Sequence, residues 1–351
     1  MIMNLVQKRT TQNGRFPHCF MLIYFSVLFA MVSCRHSGSS GSAKETEAIK
    51  LVTAPAFNAD SAFAFVETQV KFGPRVPGTP AHSKAGNWMV NKLKAYGFEV
   101  TEQRFVPVTF DGKVLNARNI IGSFNPSATK RILLAAHWDS RPFADKDTQK
   151  KDQAIDGAND GASGVGVLLE IARLIGSSPQ KLNLGVDIIF FDAEDWGEKE
   201  DTPPVSQNKV FWCLGSQYWA ANLHKPGYSA YFGILLDMVG AKGATFPKEQ
   251  QSVQFAGSVN SRVWDIAGVL GYGQYFIQQE AAGITDDHYY VNTVAKIPMI
   301  DILHQELNTS RTFGAYHHTH ADNMSIIDKN TLKAVGQTVV QVLYQEDSGT
   351  F

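Results

Sequence analysis

Short apolar runs alternate with amphipathic segments along most of this sequence. Each apolar run is bounded by polar or turn-forming residues, a pattern typical of strands buried in a sheet. The segments between the runs repeat apolar residues at a period near 3.6, which predicts helices. The predicted strands are 119–124, 131–137, 186–192, 231–238, 253–257 and 297–303. The predicted helices are 60–73, a segment ending at Gly97, 162–176, 216–223, 262–271 and 330–344.

Strands that alternate with helices usually form a mostly parallel sheet, because each crossover helix packs on one face of it. We therefore predict the α/β class, as a three-layer α/β/α sandwich with a mostly parallel mixed central sheet. The sequence contains no internal repeat and no sign of a second domain. Residues 57–351 are accordingly predicted to form one α/β domain.

The N-terminal residues have a different pattern. Three basic residues precede an apolar run at 19–32, which is shorter than the ~20 residues that a membrane-spanning helix needs. A basic start followed by a short apolar run is typical of a secretory signal. The run ends in Ala-Met-Val-Ser-Cys, which resembles a bacterial lipobox, where the signal is removed before the cysteine and the sulfur is acylated.

These features predict a lipoprotein-type signal peptide at 1–33 and a flexible tether at 34–56, with a lipid on Cys34 as the only membrane contact. The predicted location is the periplasmic side of a bacterial cell envelope, and plain secretion is the alternative. Removal of the signal and acylation of Cys34 would leave Cys213 as the one other cysteine. Cys213 is therefore predicted to be a small buried residue without a disulfide.

Composition narrows the range of partners. The chain has 351 residues, a formal net charge of −1 and 44% hydrophobic residues, as an ordinary globular protein does. No basic run is available for a phosphate backbone, which argues against nucleic acid as a partner. We expect a monomer.

Acidic and imidazole residues follow three of the predicted strands. His137 and Asp139 end one strand, 192–195 contains three acids after the next, and Asp237 ends a third. In open α/β sheets, ligands bind beyond the carboxyl ends of the strands. These side chains are therefore expected to lie together.

Two further segments carry groups that can bind a metal. Asp160 lies at the start of the predicted helix 162–176, and a late loop contains His317, His318 and His320. Carboxylates and imidazoles are common zinc ligands, and a catalytic zinc needs three of them with one position left open. The pattern predicts a metal site without deciding between one ion and two.

The order of these motifs resembles a known family. His-x-Asp, Asp-Gly-Ala-x-Asp-x-x-Ser-Gly, Phe-Phe-Asp-x-Glu-Asp, Leu-Leu-Asp-Met and a late His are similar to the zinc aminopeptidase family numbered M28, over roughly residues 60–345. Within that superfamily the chain resembles the bacterial glutaminyl cyclases. The segments 136–142, 190–196, 235–246 and 285–288 carry this resemblance.

The resemblance implies one zinc ion per chain, held by Asp160, Asp195 and His318. His317 stands where related enzymes have a Trp, so three histidines lie near the ligand position, and His318 is the preferred one. His320 is expected to be exposed to solvent.

The resemblance also implies catalytic roles for three carboxylates. Glu194 matches the acid/base, and Asp237 matches the group that holds the substrate α-amine, with Asp286 hydrogen-bonded to it. Trp196 and Phe313 are the candidate walls of the substrate pocket. The long polar loop at 197–211 is expected to border the site.

The implied activity is that of a glutaminyl-peptide cyclotransferase, which converts the N-terminal Gln of peptides and proteins to pyroglutamate and releases ammonia. The alternative is a dinuclear zinc aminopeptidase, in which His137 and Asp237 would hold a second ion. A third possibility is an envelope lipoprotein that only binds. The presence of Glu194 beside the ligands argues against it, because a binding protein does not need a proton-transfer group there.

Overall fold

The central sheet has six strands in the spatial order β1-β2-β4-β3-β5-β8, and β6 and β7 form a separate two-stranded sheet. The computed structural model describes residues 49–199, 202–203, 205–206 and 209–351. The strands are β1 (Glu99–Phe105), β2 (Ala117–Phe124), β3 (Arg131–His137), β4 (Gly185–Phe191), β5 (Phe232–Asp237), β6 (Phe246–Glu249), β7 (Phe276–Ala281) and β8 (Met299–Leu303). The helices are α1 (Ala59–Lys71), α2 (Pro80–Ala95), α3 (Ala162–Ser177), α4 (Leu214–Ala221), α5 (Gln250–Val269), α6 (Asp287–Thr293) and α7 (Lys329–Asp347), with a 3₁₀ turn at Met324–Ile326.

Strand pairing makes the sheet mixed. β3 runs parallel to both β4 and β5, and β5 runs parallel to β8. β1 and β2 are added antiparallel at the side of β4. The predicted α/β/α sandwich with a mostly parallel mixed sheet is therefore confirmed.

Alternation along the strands separates two apolar cores. In β3, Ile132 and Leu134 belong to the larger core, while Leu133 and Ala135 belong to the smaller one on the opposite face. Successive side chains of a strand point to opposite faces, so a continuous apolar run is needed where helices cover both. Helices α1, α2, α3, α5 and α7 contribute to the larger core, and α4 and α6 to the smaller.

One predicted strand is wrong. Residues 253–257 lie inside α5, which begins at Gln250 after the Glu249 carboxylate caps the N–H groups of Gln251 and Ser252. A short apolar run does not by itself distinguish a strand from one turn of a buried helix face. Strand β1 gave no apolar signal, because five of its seven side chains are at least partly exposed polar residues and it lies at the edge of the sheet.

The prediction of a flexible tether is wrong for residues 49–56. Gln337, Gln341 and Gln345 of α7 hold the backbone of this segment by hydrogen bonds. Among them, Val52 N–H donates to Gln345 Oε1 at 2.5 Å, and Gln341 Nε2 donates to Val52 O at 2.8 Å. The segment also packs apolar side chains against the larger core. The body of the protein therefore begins before residue 57.

The predicted signal peptide, the lipid anchor and the first part of the tether, at 1–48, lie outside the described residues. Within the described residues, no helix is both long and apolar enough to cross a membrane. Residues 48–351 form one compact unit, which fits the prediction of one folded α/β domain.

Helix α3 lies directly on the end of β5 at Gly164. A Cβ added there would collide with the carbonyl oxygen of Leu236 and would lie 2.9 Å from the Cβ of Ala136. Since the backbone of β5 cannot move without shifting Asp237, Gly164→Ala is expected to lower the free energy of unfolding by about 1–3 kcal/mol. Urea unfolding would measure it.

Gly268→Ala in α5 is the matched control. Nothing lies within 4 Å of a Cβ added at Gly268, so this change is expected to be neutral or to stabilise by up to about 1 kcal/mol. Equal losses in the two variants would contradict the close approach of α3 to β5.

Candidate active site

The carboxyl ends of β3, β4 and β5 meet at one edge of the sheet and bring the acidic motifs together. His137 is the last residue of β3, Asp237 is the last of β5, and Glu194 and Asp195 follow β4. Asp160 precedes α3, the helix that crosses over from β3 to β4. The structure thus places Asp160, Glu194, Asp195 and Asp237 around one cavity, although they are far apart in the sequence.

Two buried carboxylates shape the loops that carry the candidate ligands. Asp322 accepts hydrogen bonds from the N–H groups of Asn159, at 2.7 Å, and Asp160, at 3.0 Å. Asp139 does the same for Glu194 and Asp195, at 3.0 and 3.2 Å. Buried backbone donors need such acceptors, so each loop is held in a single conformation.

The backbone before α3 requires glycine. Gly161 has a φ of +87°, and a Cβ there would lie 2.7 Å from the Asp139 carbonyl oxygen. Glycine adopts this conformation without steric cost, and the turn then brings Asp160 under His137. The motif therefore needs glycine directly after Asp160, because the two loops approach each other closely at Gly161.

His318 lies next to both carboxylates that were predicted to share a metal with it. Its Nε2 is 3.3 Å from Asp195 Oδ1 and 3.7 Å from Asp160 Oδ2. Asp160, Asp195 and His318 are all less than 5% exposed. Two carboxylates and one imidazole at these separations supply the O and N donors that zinc prefers.

An unpartnered oxygen supports a cation at this position. Asp195 Oδ2 is buried and has no hydrogen-bond partner among the described residues. Burying such an atom costs free energy unless a water molecule or an ion satisfies it. Burial and then the charge of Asp160 raise the pKa of Asp195, which is the effect that a bound cation would reverse. The donor set therefore fits a metal ion.

Neighbouring side chains fix the orientation of His318. The Trp212 ring stacks on it with centroids 5.8 Å apart and planes 7° apart. On its other side, Nδ1 lies 3.9 Å from Asp145, which is held by two hydrogen bonds from Arg141 at 2.7 and 2.9 Å. Metal-binding histidines commonly have such a carboxylate behind them, because it sets the tautomer and the ring angle.

His317 remains a competing ligand. Its Nε2 is 3.8 Å from Asp160 Oδ2, almost the distance of His318, and the two imidazoles stack with centroids 3.6 Å apart. On its far side, His317 Nδ1 contacts the Lys146 ammonium at 2.7 Å. His320 lies apart from this cluster, where its ring faces the Lys150 carbonyl oxygen.

His137 joins the candidate ligand Asp160 to Asp237. Its Nε2 is 3.0 Å from Asp160 Oδ1 and 3.2 Å from Asp237 Oδ1. Burial lowers the pKa of His137, but hydrogen bonds to Asp139, Asp160 and Asp237 outweigh it and raise the pKa overall. Burial raises the pKa of Asp237 to about 7, with further contributions from Asp160 and Asp286 opposed by His137.

Glu194 occupies the centre of the acidic group. Burial raises the pKa of Glu194 well above its ordinary value, and the charges of Asp195 and Asp286 act in the same direction although His137 opposes them. Cys213 Sγ lies 3.3 Å from Glu194 Oε1 and donates to it. Cys213 is buried as predicted, but it contacts the candidate acid/base.

Asp286 also lines the cavity, as the N-cap residue of α6. Its carboxylate accepts from the Asp287 N–H, and a carboxylate oxygen of Asp301 lies within 4.8 Å of it. Its charge acts on Asp237, so the two carboxylates are electrostatically coupled. The hydrogen bond between Asp286 and Asp237 stays a prediction.

The cavity has a volume of about 200 Å³, and both polar and apolar side chains line it. Phe313 lines it, but Trp196 does not. Trp196 packs in a separate apolar cluster, with Lys113 over its ring at 4.8 Å. The indole that lines the cavity belongs to Trp212, which directly follows the 197–211 loop predicted to border the site. The other apolar lining residues are Met238, Ile284 and Leu303.

The model of peptidase family M28 matches residues 119–343, which are more than half of the chain. The chain belongs to peptidase family M28. The family resemblance expected from the motifs is thus confirmed, and the match includes each carboxylate and histidine discussed above.

Solved structures in the comparison cover nearly all of the described unit. A Bacteroides thetaiotaomicron glutaminyl cyclase, bound to N-acetylhistamine, is 51% identical with a TM-score of 0.80, over 83% of this chain and 99% of that one. A Zn-dependent exopeptidase from Parabacteroides distasonis is 52% identical with a TM-score of 0.79, over 83% of this chain and 99% of that one. The glutaminyl-peptide cyclotransferase of Gloydius blomhoffii is 25% identical over 301 residues, which are 78% of this chain and 77% of that relative.

The two stacked histidines can be separated by metal content. We expect His318→Ala to reduce bound zinc at least about tenfold, because it removes a ligand that Trp212 and Asp145 hold in place. His317→Ala is expected to retain zinc close to the wild-type level. Metal analysis after dialysis would measure both, and loss of zinc only in the His317 variant would reverse the assignment.

Proposed function

We propose that the chain is a zinc-dependent glutaminyl-peptide cyclotransferase that converts the N-terminal Gln of peptides and proteins to pyroglutamate and releases ammonia. The observation that carries this proposal is that one partly buried carboxylate with a raised pKa, Glu194, lines the same cavity of about 200 Å³ as the candidate zinc ligand Asp195 and the carboxylate of Asp286. The similar proteins named as glutaminyl cyclases support the same activity.

Asp160, Asp195 and His318 would hold one zinc ion per chain. When bound, zinc supplies Lewis-acid polarisation of a carbonyl group and stabilises negative charge that develops on its oxygen. The residues of the chain bring the reacting groups to that oxygen and move the protons.

In the proposed reaction the substrate α-amine attacks its own γ-carboxamide carbon. Asp237 holds the amine, because it is a carboxylate that lines the same cavity and is not one of the three proposed zinc ligands. Glu194 accepts a proton from the attacking nitrogen and returns it to the leaving amide nitrogen, which departs as ammonia. A raised pKa suits a group that must accept and then donate a proton. The new C–N bond closes the lactam as the old one breaks.

The glutamine methylenes need an apolar surface beside these groups. Met238, Ile284, Leu303 and Phe313 provide it within the same cavity. Peptides whose N-terminal side chain is longer or branched would meet these walls, which is why we assign the cavity to Gln.

A dinuclear aminopeptidase is the second candidate, favoured by one observation. His137, Asp160 and Asp237 offer ligand atoms that all lie within 4.8 Å of one another, so they could hold a second ion. In the cyclotransferase, His137 and Asp237 instead pair with each other and leave the substrate amine as the partner of Asp237.

One experiment separates the two candidates. The purified protein would be incubated with Gln-initiated peptides and with matched peptides that begin with Leu, while ammonia, free amino acids and bound zinc are measured. We expect ammonia from the Gln peptides, no free amino acid, and about one zinc per chain. Free N-terminal amino acids with about two zinc ions per chain would establish the aminopeptidase.

We also propose that the protein is exported and anchored to the bacterial cell envelope by a lipid on Cys34, facing the periplasm as a monomer. The support is the basic start, the apolar run and the cysteine that follows it. A Cys34→Ser variant should move from the membrane fraction to the soluble one and lose incorporation of labelled fatty acid. Unchanged membrane association in that variant would contradict the anchor.

A further inference from the structure

Arg141 is a fully buried cation beside the proposed zinc ligands. Its side chain is 0% exposed, and it lies in the loop that follows His137, the last residue of β3. Burying a charged group costs free energy unless good geometry and hydrogen bonds satisfy its donors. The proposed reaction does not use Arg141, so its burial at this place needs another explanation.

One edge of the guanidinium is paired with Asp145. Arg141 Nε donates to Asp145 Oδ1 at 2.7 Å, and Nη2 donates to Oδ2 at 2.9 Å. Such a two-point pair fixes the plane of the guanidinium as well as its position. Asp145 Oδ1 is also 3.9 Å from Nδ1 of His318. The pair therefore holds a carboxylate in one orientation beside a proposed zinc ligand.

The remaining nitrogen of Arg141 contacts a second proposed ligand directly. Nη1 donates to the backbone carbonyl oxygen of Asp195 at 3.0 Å and lies 3.5 Å from Oδ1 of the same residue. Asp195 Oδ2 has no hydrogen-bond partner among the residues that the structure describes. Arg141 therefore fixes the backbone and one carboxylate oxygen of Asp195, and the other oxygen is left for an ion.

Arg141 also contacts the indole that lines the cavity. Its guanidinium carbon is 4.6 Å from the ring centroid of Trp212 and 4.4 Å from that of Phe143, and cations attract aromatic faces at such distances. The Trp212 ring is in turn parallel to the His318 ring within 7°. A Cβ added at Gly197 would lie 2.0 Å from the Trp212 ring, so the indole is closely packed where it is.

Arg131, the first residue of β3, shows what a purely structural arginine looks like in this chain. It forms the same kind of two-point pair, with Asp187 at 2.6 and 2.7 Å. It also donates to three backbone carbonyl oxygens, those of Phe124, Asn125 and Ala128. None of these partners is among the described residues that line the cavity. The partners of Arg141 instead include a proposed zinc ligand and a wall of the cavity.

We propose that Arg141 is a positioning residue for the proposed cyclisation: its guanidinium fixes the orientations of two proposed zinc ligands, Asp195 and His318, and of one wall of the cavity. It acts on Asp195 directly, and on His318 through Asp145 and Trp212. The inference rests on the proposed function for the zinc and the reaction, and on the described contacts for its geometry.

Lysine cannot reproduce this arrangement. An ammonium carries its N–H groups on one nitrogen, whereas the guanidinium spreads five donors over three nitrogens in a fixed plane. The three nitrogens of Arg141 serve Asp145, Asp195 and the backbone carbonyl oxygen of Glu198, which lies 3.2 Å from Nη2. Arg141→Lys therefore keeps the positive charge and removes the geometry, which separates positioning from compensation of charge.

The test compares Arg141→Lys with Arg131→Lys. Each replaces an arginine that makes a buried two-point pair with an aspartate, so both should lower the Tm. We expect only Arg141→Lys to weaken zinc binding, about tenfold to hundredfold, because groups that orient metal ligands commonly contribute this much. Competition for zinc with a chelator of known affinity, at a temperature where both variants are folded, would measure it without any substrate.

Cobalt(II) in place of zinc adds a readout of ligand arrangement. Its visible absorption spectrum depends on the number and geometry of the ligands. Arg141→Lys should change this spectrum, and Arg131→Lys should not. With zinc at saturation, kcat on Gln peptides should fall about tenfold in Arg141→Lys and stay at the wild-type value in the control. Wild-type zinc affinity and cobalt spectrum in Arg141→Lys, with only a lower Tm, would overturn the inference.

Asp145→Asn keeps the inference testable if Arg141→Lys does not fold. It leaves Arg141 in place and weakens only the support beside His318, and zinc affinity should fall about tenfold. Where both variants fold, the double variant should bind zinc no more weakly than Arg141→Lys alone, since the two changes interrupt one path. Unchanged affinity in Asp145→Asn, or fully additive losses in the double variant, would contradict the inference.

Failure of the proposed function would look different. Wild-type protein that binds zinc but releases no ammonia from Gln peptides would overturn the proposed function, and the comparison of zinc affinities would still stand. Active wild-type protein whose zinc affinity is unchanged by Arg141→Lys would overturn the inference alone.

Discussion

Replacement of Glu194 by Gln is expected to lower kcat by about 10²–10⁴-fold while zinc stays bound. Gln has the shape of Glu and can still accept from Cys213, but it cannot take a proton from the amine or return it to ammonia. Because the change removes proton transfer and leaves the cavity walls intact, KM should change much less than kcat. Ammonia release under single-turnover and steady-state conditions would measure both.

Glu198→Gln is the matched control for this prediction. Glu198 lies four residues further along the same loop, and its backbone oxygen accepts from Arg141. The control should retain the wild-type kcat. A Glu194 variant that retains more than about a tenth of the wild-type kcat, with its zinc in place, would remove Glu194 from the proton-transfer role.

Removal of zinc is expected to abolish activity and to lower the Tm substantially. Asp160 and Asp195 are buried beside each other, and the charge of Asp160 already raises the pKa of Asp195. Without a cation, nearby histidines and Arg141 oppose the charges of these two carboxylates. A ligand present at a thousand times its Kd stabilises the folded state by about 4 kcal/mol, so the shift should be large.

The pH dependence of that stabilisation has a definite sign. The pKa of Asp195 is raised in the metal-free protein, so the stability that its proton contributes is present at low pH and is lost as the pH rises through that raised pKa. Zinc must displace the proton, and the difference in Tm between the zinc-bound and metal-free protein should therefore grow with pH. Scanning calorimetry with and without zinc would measure it.

Asp195→Asn provides the control for zinc removal. It keeps the volume and removes the charge, and its Tm should respond little to zinc at any pH. A chelator that strips zinc from the wild type without changing activity or Tm would contradict the assignment of Asp160, Asp195 and His318 to the metal.

The fold could be predicted from the sequence where side-chain pattern and burial coincide. β3 and β4 are buried throughout and mostly apolar because helices cover both faces, and the acidic motifs follow their ends. The pattern failed where tertiary contacts decide the structure. Residues 253–257 are helical because Glu249 caps α5. Residues 49–56 are held on the domain because glutamines of α7 hydrogen-bond to the backbone of this segment.

The site was predictable only in part for the same reason. Strand ends indicated Asp237 and the acids after β4, but not which indole lines the cavity. Trp196 directly follows the acidic motif in the sequence, but its side chain packs in an apolar cluster away from the cavity. Trp212 follows a long loop, and its side chain lines the cavity. Asp301 is a single acid within an apolar run, and only the three-dimensional structure shows that its carboxylate lies within 4.8 Å of that of Asp286.

The excess of carboxylates around the cavity bears on how product leaves. Five acids line it, Asp160, Glu194, Asp195, Asp237 and Asp286. Under the proposed function the substrate arrives with a basic amine that these groups attract, and the lactam that forms has an amide nitrogen with almost no basicity. Turnover would thus cancel the attraction that brought the peptide in, so the finished N-terminus is released without a separate conformational step.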